Sequence, residues 1–281
     1  MYYHSIFRPG LFEGQTIIVT GGGSGIGRVV AHELASLGAH IVLAARNLEK
    51  LETVRDEIAA AGGNAAAYVC NIRVEEQIAA LFDGVVAERG AIHGLVNNAG
   101  GQFLSPAEHI SQKGWQAVIE TNLTGTFLMC REAFNRYMGQ HGGAIVNMLI
   151  EMWRGFPGMA HSAAARAGIE NLTKTLAVEW ARAGVRVNAV APGLIESSGL
   201  DHYGEAMRPF IEQTVQEIPM KRMGTESEVA AAIVFLLSPA AAYISGESVK
   251  IDGASSLWRK TWEIEDHDNA PRPFNGFEQN E

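Results

Sequence analysis

The residues best placed to do chemistry stand together near the start of the chain. Thr20-Gly21-Gly22-Gly23-Ser24-Gly25-Ile26-Gly27 follows an apolar run and leads into an apolar helix face of Val29, Val30, Leu34 and Leu37. A strand that feeds a glycine turn and then a helix presents free backbone N–H groups, and the positive end of the helix dipole, to a pyrophosphate. Side chains in that turn would hold the phosphates away. The spacing is Gly-x3-Gly-x-Gly, which differs from the commoner Gly-x-Gly-x-x-Gly. Thr20, Gly21, Ser24, Gly25, Ile26 and Gly27 are the expected contacts to a dinucleotide, against the plainer reading of a flexible turn.

A second segment bears on which dinucleotide. Leu43-Ala44-Ala45-Arg46-Asn47 closes the next apolar run, where NAD-selective folds of this kind carry an acid for the ribose 2′-hydroxyl. The acid is absent. Arg46 offers a planar cation and several donors to a 2′-phosphate, so the residues predict NADPH over NADH. The competing reading of Arg46 is a solvated arginine capping the following turn.

These residues need a frame, and the rest of the chain describes one. Short β-branched runs alternate with longer amphipathic segments, the pattern of successive βα units. The expectation is an α/β chain with a Rossmann-type, doubly wound parallel sheet of about seven strands and helices on both faces. Strands are expected from Thr16 to Thr20, His40 to Ala44, Ala65 to Cys70, Gly94 to Asn97, Ala144 to Met148, Val185 to Val190 and Ser248 to Ile251. Helices are expected from Leu48 to Ala61, Glu75 to Arg89, Lys113 to Met138, Ala160 to Ala183 and Glu226 to Leu237. Gly62-Gly63, Gly90 and Gly184 read as helix ends.

Residues 1–256 are read as a single dinucleotide-binding and catalytic domain, and 257–281 as a tail. The tail's Trp258, Trp262, Phe274 and Phe277 call for a surface to pack on, either the body or a neighbouring subunit.

Composition removes other classes. A formal charge of −9 argues against a general nucleic-acid binder, which gathers Lys and Arg to neutralise phosphates. Met1-Tyr2-Tyr3-His4-Ser5 lacks a basic segment followed by an apolar stretch, so no signal peptide is expected. The longest apolar stretch, Val229 to Leu237, falls short of the roughly 20 residues that span a bilayer. No membrane partner is therefore expected. Cys70 and Cys130 have neither paired nor metal-like spacing, which fits a reducing cytoplasm. Asp266-His267-Asp268 sets one histidine between two acids without ligands from elsewhere, so no metal site is expected.

Three further segments make a resemblance specific: Asn97-Asn98-Ala99-Gly100, Asn122 within Thr121-Asn122-Leu123-Thr124-Gly125, and Ala191-Pro192-Gly193. With the glycine turn they resemble the short-chain dehydrogenase/reductase family across roughly residues 13 to 253. The resemblance implies that Asn98, Ala99 and Gly100 line the adenosine side of NADP(H) and that Asn71 with Ile72 meets the adenine. It places Pro192, Ile195 and Ser197 near the nicotinamide carboxamide, with Gly193 among the cofactor contacts. Asn122 resembles the family's helix asparagine, which helps hold a proton-relay water; a buried amide tying helix to strand is the structural role beside it.

The family's Tyr-x-x-x-Lys pair is replaced here by Ser162 and Arg166, and its upstream serine region reads Met148-Leu149-Ile150. Hydride addition to a ketone develops an alkoxide that needs a nearby acid. Addition to a C=C bond conjugated to a thioester develops an enolate, which positioned donors can hold. Losing the tyrosine therefore penalises carbonyl reduction more.

Gly101 to His109, His161 to Gly168 and Asp266-His267-Asp268-Asn269 resemble the peroxisomal trans-2-enoyl-CoA reductase branch of the family. That branch carries a Tyr-Asn-Leu-Thr-Lys run, whereas this chain has Glu170-Asn171-Leu172-Thr173-Lys174. The expected reaction is NADPH-dependent reduction of the C=C bond of a trans-2-enoyl thioester. Asn122 and Ser162 would lie near the developing enolate, and Arg166 would hold the nicotinamide ribose in place of lysine. Glu151 is read as an acid for the reaction or a surface carboxylate.

The segment 197–223, with Tyr203, Met207, Phe210 and Ile211, resembles the family's mobile substrate loop and also fits an amphipathic surface helix. Lys221-Arg222 is read as solvated or as a contact for CoA phosphates. The ending Gln279-Asn280-Glu281 differs from that branch's peroxisomal address, so a cytoplasmic relative is expected, and the resemblance implies a homotetramer. The alternatives are a carbonyl or alcohol oxidoreductase and a catalytically inactive NADPH-binding sensor or scaffold.

Overall fold

Seven apolar runs pair side by side as one parallel sheet. In the computed structural model, which describes residues 2–197, 200, 208–258 and 262–277, they are β1 (Thr16–Thr20), β2 (His40–Ala45), β3 (Asn64–Val69), β4 (Gly94–Asn97), β5 (Gly143–Met148), β6 (Val185–Pro192) and β9 (Ser248–Ile251). Their order is β3-β2-β1-β4-β5-β6-β9. Every neighbouring pair is parallel. Two short strands, β7 (Ile195–Glu196) and β8 (Gly224–Thr225), pair with each other beyond the end of β6.

Successive side chains of a strand leave on opposite faces, so strands covered on both sides are apolar throughout. Ile17, Val19, Ile41 and Leu43 enter one layer with Leu34, Leu51 and Ile233 from α1 (Gly25–Ser36), α2 (Leu48–Ala60) and α9 (Glu226–Leu237). Ile18, Val42 and Leu95 enter the other with Phe82, Met129 and Leu176 from α3 (Glu75–Arg89), α5 (Gly125–Ala133) and α7 (Ala160–Glu179). This is the doubly wound arrangement that the alternating pattern predicts. The chain runs outward from β1 through β2 to β3, then crosses back to β4 on the other side of β1. Such a reversal opens a crevice at the carboxyl ends of β1 and β4.

The stretch expected as one helix from Lys113 to Met138 is a composite spanning 112–141. It runs as α4 (Gln112–Ile119), a π-turn (Glu120–Thr124), α5, a second π-turn (Phe134–Met138) and α6 (Gly139–His141). A π-turn inserts one residue into the helical repeat and re-aims the side chains around it. The helix expected to reach Ala183 ends at Glu179 and continues as a 3₁₀ turn, Ala181–Ala183. Gly90 and Gly184 close their helical segments in the left-handed conformation, as expected.

In the expected substrate segment, Tyr203, Met207 and the side chain of Phe210 lie outside the described residues. The described part forms α8 (Arg208–Glu217). The tail packs on the body of its own chain through Phe277, whose ring lies edge-on to Tyr3 at 5.0 Å and to His32 at 5.1 Å. Trp262 stays largely exposed. Among the described residues, no helix is long and apolar enough to cross a membrane.

Candidate active site

Thr20 ends β1 and fastens the crevice. Its hydroxyl donates to the Val96 carbonyl at 3.1 Å and accepts from the Asn98 and Ala99 N–H groups, each at 3.0 Å. The Asn98 amide donates back to the Thr20 carbonyl at 3.0 Å. Across this seam the glycine turn closes tightly. Gly21 holds φ 68° and Gly25 holds φ 58°, and a Cβ on Gly27 would press into the Gly21 carbonyl and the Asn98 amide. α1 begins at Ser24 with no side-chain cap and no acid in its first turn. Its leading N–H groups therefore face outward unsatisfied by side chains, the geometry that attracts anions. A cavity of about 630 Å³ beside the turn is lined by Ser24, Gly25, Arg28, Lys50, Glu196 and Ser197, among others.

Arg46 directly follows β2, is exposed, and has no ion pair among the described residues. Asn47 next to it caps α2, accepting from the Lys50 N–H at 3.1 Å. Asn71 and Ile72 sit just beyond β3. The Asn71 side chain accepts from Arg73 N–H at 3.2 Å, and Ile72 is buried against Gly125. Pro192 ends β6, Gly193 donates to the Ile251 carbonyl at 2.9 Å, and Ile195 opens β7 with its side chain against Gly224. These expected cofactor contacts thus gather at the carboxyl ends of the strands, though Ile72 and Ile195 spend their side chains on packing.

Asn122 lies in the first π-turn and is fully buried. Its Oδ1 accepts from the Gly101 N–H at 2.9 Å, and its Nδ2 donates to the Gly101 carbonyl at 3.0 Å. The asparagine therefore ties the long helix to the loop after β4. Ser162 and Arg166 stand one turn apart on α7, both buried. The Ser162 hydroxyl donates to Gln102 Oε1 at 2.7 Å. Arg166 donates to the Met148 carbonyl at 2.6 Å, and its Nε has no partner among the described residues. Gly100 is what admits it: a Cβ there would collide with the guanidinium and come within 2.9 Å of Asn122 Oδ1. Burial alone lowers the Arg166 pKa to about 10, which leaves it charged at neutral pH.

Several neighbours escape a sequence reading. Gln102 and the Met148 carbonyl meet Ser162 and Arg166 only through the fold. His161 is buried against Phe103, ring centroids 4.4 Å apart, and its Nε2 has no hydrogen-bond partner among the described residues. Glu151 is half-buried just past β5. Desolvation raises its pKa and the Asp252 charge adds to this, against Ser255, Arg154 and Lys250. Tyr2, Tyr3, Tyr68, Tyr137 and Tyr243 are the described tyrosines. Tyr3 packs on Phe277, Tyr137 on His141, and Tyr2 and Tyr243 are exposed.

Residues 21–255 match a family model described as enoyl-(acyl carrier protein) reductase. A probable 2,4-dienoyl-CoA reductase of Bacillus subtilis is 39% identical over 87% of this chain and 98% of that protein. The peroxisomal 2,4-dienoyl-CoA reductase of Rattus norvegicus is 35% identical over 90% of this chain and 87% of its own length. Among solved structures, the citronellol catabolism dehydrogenase AtuB of Pseudomonas aeruginosa PAO1 is 58% identical. It superposes with a TM-score of 0.82, covering 91% of this chain and 100% of that one.

Proposed function

The chain belongs to the short-chain dehydrogenase/reductase family of NAD(P)(H) oxidoreductases, and within it we propose an NADPH-dependent reductase of the C=C bond conjugated to an acyl thioester. One observation carries the reading. Arg166 is a buried guanidinium with no carboxylate beside it among the described residues, set against Asn122 and the Gly100 backbone. A desolvated cation of that kind suits an oxygen that becomes negative during reaction.

The residues present fit the cofactor. The Gly27 contact leaves no room for a side chain, and α1 opens on uncapped N–H groups, so Thr20, Gly21, Ser24, Gly25, Ile26 and Gly27 hold a pyrophosphate. Arg46 takes the 2′-phosphate, Asn98, Ala99 and Gly100 the adenosine side, and Asn71 with Ile72 the adenine. Pro192, Gly193, Ile195 and Ser197 line the nicotinamide end. Bound there, NADPH supplies the hydride.

Reduction at the β-carbon moves the C=C electron pair toward the thioester carbonyl and builds an enolate. Arg166 stabilises the charge on that oxygen and also holds the nicotinamide ribose. The Ser162 hydroxyl turns from Gln102 to donate to the same oxygen, while Asn122 fixes the Gly101 loop beside it. Glu151, whose raised pKa keeps its proton available nearer neutrality, protonates the α-carbon. Ketone reduction lacks the family's tyrosine, and the serine hydroxyl that replaces it is a weaker acid than a phenol.

AtuB is named a citronellol catabolism dehydrogenase, and the 58% identity to it favours a second reading for this chain, turnover at an alcohol or carbonyl carbon. A substrate panel separates the two. NADPH consumption is measured with crotonyl-CoA, longer trans-2-enoyl-CoA and 2,4-dienoyl-CoA esters and with 3-ketoacyl-CoA esters; NADP+ reduction is measured with citronellol. Each assay is repeated with NADH or NAD+. The expected outcome is kcat/KM for an enoyl or dienoyl ester at least about tenfold above the rest, with NADPH preferred. Turnover confined to ketoacyl esters or citronellol establishes the second reading, and equal use of NADH removes the role given to Arg46.

A further inference from the structure

Two cations line the cavity beside the glycine turn, and the function proposed above gives neither a part. Arg28 stands on α1 one turn past Ser24, and Lys50 stands in the first turn of α2. Their charges are not equally available. Arg28 donates through Nε to Glu57 Oε2 at 2.7 Å and holds its guanidinium over the Phe277 ring, 5.1 Å from the centroid. Its charge is already met. Lys50 is exposed and has no ion pair among the described residues.

Lys50 is anchored by its stem rather than by its charge. Its side chain packs so closely on the glycine turn that a Cβ on Gly23 would stand 3.1 Å from the Lys50 Cβ. Its backbone N–H is taken by the Asn47 cap at 3.1 Å. The ammonium, on a flexible four-carbon stem, is left to the cavity. Arg46 lies four residues back, immediately before that cap, so the two cations flank the positive end of the α2 dipole, with Glu49 as the acid of that turn. The other acids of the cavity, Glu196 and Glu226, belong to the β7–β8 side, where Glu196 pairs in register with Thr225, the cap of α9. Cations and acids thus line the cavity from different elements, the cations from α1 and α2.

We propose that Lys50 is a second specificity-determining residue for NADPH, its ammonium pairing with the 2′-phosphate from the α2 side while Arg46 meets it from the end of β2. The proposal rests on the cofactor reading above, which sets the pyrophosphate on the glycine turn and the adenosine ribose beside Arg46. The 2′-substituent then falls between the two, where Lys50 packs on Gly23. A phosphate monoester carries nearly two negative charges at neutral pH, more than one guanidinium balances. NADH offers Lys50 no such partner.

The test measures binding without turnover. Calorimetric titration gives Kd for NADPH and for NADH with the parent protein, Lys50→Gln and Lys50→Arg. In Lys50→Gln the Kd for NADPH is expected to rise about fivefold, and that for NADH to change less than about twofold. Lys50→Arg is expected to stay within about twofold of the parent for both, since the charge is kept. Raising salt from about 50 to 500 mM is expected to erode the NADPH preference of the parent more than that of Lys50→Gln, because an exposed ion pair is screened. A parent that prefers NADPH beside a Lys50→Gln variant with the same NADPH affinity overturns the proposal and leaves the cofactor reading standing. Equal weakening of NADPH and NADH also overturns it, by placing Lys50 at the pyrophosphate instead. A parent that binds the two cofactors equally refutes the 2′-phosphate reading itself, and the part given to Lys50 falls with it.

Discussion

Taking a guanidinium out of water costs several kcal/mol unless something meets it, and among the described residues Arg166 donates only to the Met148 carbonyl. A charge kept under those terms belongs to a site that uses it. Arg166→Met is therefore expected to lower kcat on an enoyl thioester by about 10²–10³-fold, the loss seen when an oxyanion donor is removed. Its melting temperature is expected to stay level or rise, since a buried cation is replaced by an apolar chain of similar length. Arg166→Lys is expected to recover part of the rate. Steady-state kinetics beside thermal denaturation check this; a variant that melts early yet keeps its rate would make Arg166 structural. Ser162 and Arg166 were legible as departures from a family pattern. Their partners were not, because Gln102 lies 60 residues from Ser162 in sequence and the Met148 contact is a backbone atom that no side-chain pattern records.

The glycine turn was readable from its neighbours alone, since an apolar strand and an apolar helix leave a glycine run between them little other use. Gly27→Ala tests that element. Its methyl would press on the Gly21 carbonyl and the Asn98 amide, both backbone-anchored, so the turn must open. Stability is expected to fall by about 1–3 kcal/mol, and NADPH affinity by at least about tenfold. Calorimetric titration with NADPH measures the second; unchanged affinity would separate the turn from cofactor binding. The π-turns of the long helix were not legible, because one inserted residue hardly disturbs a 3.6-residue period across 112–141. Asn122 shows what the insertion achieves: both ends of its amide reach the Gly101 backbone. The β7–β8 pair escaped for a different reason, two-residue strands being too short to show a period.

Across the whole molecule, both ends of the described chain meet on α1. Tyr3 and Ser5 donate to the buried Glu33 carboxyl at 3.1 and 2.9 Å, and His4 N–H donates to the Gly276 carbonyl at 2.6 Å. The tail aromatics announced a packing surface, but only folding shows it to be Tyr3 and His32. Burial raises the Glu33 pKa from 4.5 to about 7, so the folded state holds that proton more tightly than the unfolded chain does. Stability should then fall as pH rises from about 4.5 to 7 and level off above. Glu33→Gln is expected to flatten this dependence and to gain up to roughly 3 kcal/mol at pH 8. Denaturant titrations across that range check it, and identical slopes in parent and variant would clear Glu33. The central claim, hydride delivery to a conjugated C=C bond, is tested most directly by labelling. Wild-type protein is given NADPH deuterated at the transferable position, with a trans-2-enoyl-CoA ester, and the product is analysed by mass spectrometry. The account predicts a saturated acyl-CoA carrying the deuterium at the β-carbon and a solvent proton at the α-carbon. Unreacted enoyl ester, beside deuterium incorporated at the carbinol carbon when a 3-ketoacyl-CoA ester is supplied instead, would contradict it.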